Sequence, residues 1–141
     1  METRMARVVL IIAVLIALVT IPVAAAVPTF KTTRLYSEAE FAAAIKPYTD
    51  AIARNANDAD AYRWLGVAYF HLYRLYKYGF APFAGGYGTR AVESLERSVQ
   101  LNPEPAVMLT LAEVYMTMGS LGNYNGLTDR LIGLATPLPP K

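Results

Sequence analysis

The chain of 141 residues is 55% hydrophobic and only 17% charged, with a net charge of +2, no cysteine and one histidine. A soluble domain is typically ~45–50% apolar and ~25% charged, so either the core is unusually greasy or part of this chain is built for surroundings other than water. The lack of cysteine excludes a disulfide scaffold, a thiolate zinc site and a cysteine nucleophile, the lone histidine excludes two-histidine zinc motifs, and the small net charge excludes the dense basic surface of a nucleic-acid binder.

The first segment accounts for much of the excess. Val8 to Val27 is twenty residues without a charge, with Thr20 the only polar side chain. As a helix it would be ~30 Å long, about one hydrocarbon core. Arg4 and Arg7 precede it, against Glu2 alone. Two readings stay open. As a cleaved signal peptide, Val8–Val19 is the apolar region, Pro22 the break and Ala24-Ala25-Ala26 the small-residue cleavage pattern. As a retained anchor, the segment spans the membrane once. In both, the basic N-terminus stays cytoplasmic and residues 28–141 face the other side, the periplasm in a bacterium; Lys31 and Arg34 weaken that signal a little. Beyond residue 27 the composition is ordinary, eleven basic against ten acidic side chains, though rich in tyrosine.

Residues 28–36 read as an extended linker. A strong helix start follows: Ser37 can cap, Glu40 can reach back to it, and Tyr36 and Phe41 form a hydrophobic staple. Phe41, Ala44, Ile45, Tyr48, Ala51 and Ile52 recur at helical spacing. Pro47 interrupts the hydrogen-bond ladder there and is expected to kink the helix. Asn55-Ala-Asn-Asp58 ends this helix and begins a second, from about Ala59 to Tyr78, with Tyr62, Leu65, Tyr69, Leu72 and Tyr76 on one side. Gly79 to Pro82 stops it, and Phe83 to Gly88 reads as a glycine-rich loop. Thr89 is the expected cap of a third helix, Arg90 to Leu101. Asn102 to Pro105 is a turn, and a fourth helix runs from about Ala106 to Met118. A weaker fifth covers about Leu127 to Ala135, and the tail 136–141 is polyproline-like. No segment alternates with period two, so the fold class expected is all-α.

The helix pairs repeat in a fixed register that resembles tetratricopeptide repeats, a helix–turn–helix unit of about 34 residues. Tyr62, Leu65, Gly66 and Tyr69 match the first-helix signature. Ala44, Tyr48 and Ala51 match the second, with Ala56 where the family has proline. The next unit reads Ala91, Leu95, Ser98 and Pro103, and the following first helix offers Met108, Leu111, Ala112, Tyr115 and Gly119. The resemblance covers about residues 37–135 and implies a short array of roughly two and a half units. It departs in three ways. The first unit lacks its first helix. Roughly 13 residues are inserted between Tyr69 and Ala91. Gly122, Asn123, Asn125 and Gly126 weaken the last helix. Stacked repeats need about three units and polar caps for a continuous core, so a partner, a second copy or the membrane is expected to cover the ends.

The insertion, about residues 72–88, holds six aromatics in seventeen residues. Aromatics and arginine dominate binding hot spots, while the competing reading is internal packing. Candidate partner-binding residues are Tyr62, Arg63, Tyr69, Tyr73, Arg74, Tyr76, Lys77, Phe80, Phe83 and Tyr87. His71, Arg74 and Lys77 share one helix face. Gly85 to Thr89 lacks the Lys-Ser/Thr ending of a phosphate loop, and no nucleophile stands with a credible base. The expected function is therefore non-enzymatic and without cofactor or metal. It is a single-pass, extracytoplasmic protein-interaction module, an accessory or scaffold subunit of a membrane complex. The alternative is a cleaved, soluble periplasmic adaptor.

Overall fold

The computed structural model describes residues 25–135. Most of the apolar segment and the Pro-rich tail lie outside the described residues, and with them the signal-or-anchor reading and the polyproline reading. Among the described residues no helix is long and apolar enough to cross a membrane, and there is no strand. Five helices follow one another: α1 (Glu38–Arg54), α2 (Ala59–Lys77), α3 (Tyr87–Leu101), α4 (Pro105–Met118) and α5 (Leu121–Ala135). A 3₁₀ turn, Pro82–Ala84, lies between α2 and α3.

The ends are set by local chemistry. At the start of α1 the Glu40 N–H donates to Ser37 Oγ at 3.3 Å, and the Ser37 N–H donates to the Glu40 carboxylate at 2.8 Å. These bonds, with Arg34 beside them, hold the Glu40 carboxyl below its ordinary pKa. α1 continues through Pro47. Asp58 caps α2 by accepting from the Ala61 N–H at 3.0 Å. α2 ends on Gly79, whose φ of 82° lets the Phe80 N–H return to the Leu75 carbonyl at 2.8 Å. Pro105 opens α4, where its missing N–H costs nothing.

Two starts differ from the sequence expectation. α3 begins at Tyr87, not Arg90, so Thr89 sits inside the first turn and no side chain caps the helix. The reason is tertiary: Tyr87 packs its ring against Phe41 and Tyr69. Gly88 is buried where a Cβ would stand 3.1 Å from Tyr73 Cζ and 3.2 Å from Met118 Sδ. The glycines expected to form a loop instead let the helix start close to its neighbours. α5 begins at Leu121, six residues before the expected start. The turn before it is only Gly119 and Ser120, and packing of Tyr124 and Leu127 on the core offsets the weak helix propensity of the Asn and Gly residues.

Each helix packs mainly on its chain neighbours, α2–α3 most extensively, and α2 also reaches α4. This serial arrangement is compatible with a helical repeat. Of the residues that carry the repeat pattern, Tyr48, Ala51, Leu65, Tyr69, Ala91, Leu95, Met108, Leu111, Ala112 and Tyr115 are all buried. Gly66 lets Leu95 of α3 approach so closely that a Cβ would lie 2.6 Å from its Cγ. Buried Ser98 donates to the Ala59 carbonyl at 2.9 Å, tying the end of α3 to the start of α2.

The linker is part of this core. Val27 packs against it, and Phe30 and Tyr36 are buried. Phe30 stacks on Tyr36 with centroids 5.2 Å apart and meets Phe41 edge-on at 6.2 Å. The Tyr36 hydroxyl donates to the Lys31 carbonyl at 2.8 Å. His71 Nε2 lies 2.9 Å from the Arg34 carbonyl; a carbonyl only accepts, so that nitrogen carries the proton. An extended segment thus lies against α1 and α2.

Candidate functional site

The aromatics of the insertion divide evenly: Tyr73, Phe83 and Tyr87 are half-buried, while Tyr76, Tyr78 and Phe80 are exposed. Phe83, Tyr87, Tyr69, Phe41, Phe30 and Tyr36 form a continuous run of ring contacts from the insertion to the linker, with neighbouring centroids 5.1 to 6.2 Å apart. The Arg90 guanidinium sits over Tyr69 and Tyr87 at 5.7 and 5.6 Å. Burial raises the pKa of the Tyr87 hydroxyl above its ordinary value. Tyr69 is buried, while Phe83 and Tyr87 are half-buried. Tyr73 stacks on Tyr76 at 6.1 Å, and the Tyr76 ring lies over Gly85.

The remaining candidates divide between two places. Tyr62 is half-buried in the first turn of α2. Arg63 beside it is engaged: one Nη1 donates to both oxygens of Glu104 at 3.3 Å, and the guanidinium rests 5.1 Å from the Trp64 ring. This pair ties α2 to the residue before α4. At the other end of α2, Arg74 pairs with Glu113 of α4 at 3.6 Å and lies over Phe70. Lys77 is exposed and has no ion-pair partner among the described residues. Phe80 is 65% exposed.

Around Arg74 and Lys77 lies the open face between α2 and α4. One shallow groove of about 320 Å³ is lined by Val67, Phe70, His71, Leu75, Tyr78 and Thr110, among others, with Thr32 of the linker closing one end. A second, also about 320 Å³, continues over Lys77, Glu113, Met116 and Thr117. Tyr78 is 71% exposed, Leu109 61% and Met116 55%. Leu109, Glu113 and Met116 recur at four- and three-residue spacing, hence on one face of α4. Sequence reasoning gives no weight to these, and counts Tyr78 only as one of the six aromatics of the insertion. α4 is apolar on nearly every side, so its pattern does not separate the outward strip from the buried one.

A wider groove, about 530 Å³, lies on another side between α3 and α5, with Leu111 and Tyr115 of α4 among its lining. The Tyr115 hydroxyl donates to Glu96 there, and burial together with that bond pushes the tyrosine pKa well above its ordinary value. Arg130 and Asn123 also line it. Among the described residues, no three His, Asp or Glu side chains stand close enough to hold a metal ion, and no buried side-chain polar atom lacks a partner.

No protein-family model matches the chain, and neither the search of curated proteins nor that of solved structures returns a significant match.

Proposed function

We propose that this chain is a membrane-anchored, extracytoplasmic protein-interaction module of tetratricopeptide-repeat type, an accessory or assembly subunit of a larger membrane complex. The observation that carries the reading is the α2–α4 face. It combines exposed Tyr78, Leu109 and Met116 with the Arg74–Glu113 pair and exposed Lys77, which has no ion-pair partner among the described residues, along two shallow grooves. Large apolar side chains rimmed by charge are the composition of a protein-binding patch. In repeats of this kind the first helix of each pair lines the binding groove, and α2 and α4 hold that position in the register.

Burial of the signature positions supports the repeat reading. The apolar stretch of twenty residues ahead of the domain, preceded by arginines, supports the anchor and its orientation.

Site-specific photo-crosslinking in native membranes tests the binding face. A photoreactive residue replacing Tyr78 or Met116 is expected to give a discrete adduct with another protein, while one replacing exposed Asn57, at the α1–α2 turn, gives none. Adducts at neither Tyr78 nor Met116 would overturn the assignment of this face. Intact mass of the same preparation separates the anchored protein from one shortened by about 25 residues, as cleavage at the small-residue pattern would make it.

A further inference from the structure

The apolar segment and the folded domain share almost no tether. A membrane span needs about 17 residues at the least, so one beginning at Val8 would run to residue 24 or beyond. Ala25 and Ala26 are exposed, but Val27 already packs on the core. Two extended residues reach about 7 Å, about the depth of one headgroup layer and no more. From Val27 onward the chain is fastened repeatedly: by buried Phe30, by the Tyr36 hydroxyl on the Lys31 carbonyl, by His71 on the Arg34 carbonyl, and by Arg34 on Glu40 at 2.7 Å. A domain attached in this way has little freedom to turn over above a bilayer.

We propose that the linker and the outer side of α1 rest on the headgroup layer of the membrane that holds the apolar segment, with α1 proximal and α5 distal. This rests on the anchored reading given above. The surface that would meet the lipid is the open groove of about 480 Å³ between residues 28–31 and the stretch from Ala43 to Tyr48 on α1. Its rim suits an anionic headgroup. Lys31, four residues past Val27, lines it, is exposed and has no ion-pair partner among the described residues; Arg34 and Glu40, also in the lining, pair with each other, and Lys46 outside it pairs with Asp50. α5 is carried chiefly by α4 at the other end of the packing order.

The full chain contains no cysteine, so single-cysteine variants can be labelled cleanly. T29C, A43C and N125C place a fluorophore at exposed positions on the linker, α1 and α5, and L15C places one in the middle of the apolar segment. Each full-length variant is reconstituted in phosphatidylcholine–phosphatidylglycerol vesicles. Quenching is read from nitroxides carried on the headgroup or deep in the acyl chain. The headgroup nitroxide is expected to quench positions 29 and 43 several-fold more than position 125, and the acyl-chain nitroxide to quench position 15. Equal quenching at 29, 43 and 125, with position 15 quenched from the acyl chain, would overturn the orientation and leave the anchor standing. Failure to quench position 15 would remove the anchored reading itself, and the orientation with it.

Discussion

At Gly66 the packing of α2 on α3 is decided by a missing methyl group. A Cβ there would lie 2.6 Å from Leu95 Cγ and 3.2 Å from the Leu95 backbone nitrogen, and Leu95 is fully buried, with nowhere to retreat. G66A is expected to destabilise the domain by about 2 kcal/mol. Gly126 is the counterpart: it lies inside α5, and nothing is within 4 Å of where its Cβ would be. G126A is expected to stabilise by up to about 1 kcal/mol, because alanine is the better helix former. Urea unfolding of the full chain in mild detergent, followed by circular dichroism, measures both; similar effects of the two substitutions would contradict the packing argument. Gly66 was readable from the sequence because it falls at a fixed register between Leu65 and Tyr69. Leu109 and Met116 were not. Their helix is apolar nearly all round, and which apolar residue faces outward is set by where α3 and α5 lie.

Among the elements, the linker carries more of the structure than its sequence suggests. Phe30 and Tyr36 are only two aromatics six residues apart, with no periodicity to mark them, yet both are buried against α1 and α2. F30A is expected to cost about 3 kcal/mol, the usual order for emptying a buried phenylalanine site. It should also free the segment, so that trypsin cuts after exposed Lys31 and Arg34 at least about tenfold faster, as expected when a local opening becomes cheap. An unchanged cleavage rate would mean that the linker is held by something other than Phe30. The starts of α3 and α5 escaped the sequence for a related reason. Local propensity argues for loops at Gly85–Gly88 and Gly122–Gly126, and long-range contacts of Tyr87, Tyr124 and Leu127 outweigh it. Of the candidate residues, the insertion's aromatics were legible as a group. Their division into inward rings and outward Tyr76, Tyr78 and Phe80 depends on the turn at Gly79 and the position of α3.

For the molecule as a whole, stability is graded along the packing order. α2 contributes seven buried residues and α3 six, whereas in α5 only Leu127 is buried. A serial array of this kind opens from its weakest end. Backbone amides of α5 are expected to exchange with solvent about 100-fold faster than those of α2 and α3, as measured by hydrogen-exchange mass spectrometry on the full chain. Equal protection throughout would instead make the five helices one cooperative unit. The two ends differ in a second respect. An array extends by presenting at each end a face that the next copy can continue, and endless head-to-tail growth needs both faces open. Here the strap of residues 27–36 lies across one of them, fixed by side chains of α1 and α2. The two ends of the packing order are therefore unlike: the strap covers the α1 end, while Leu121 and Leu134 stay exposed on α5.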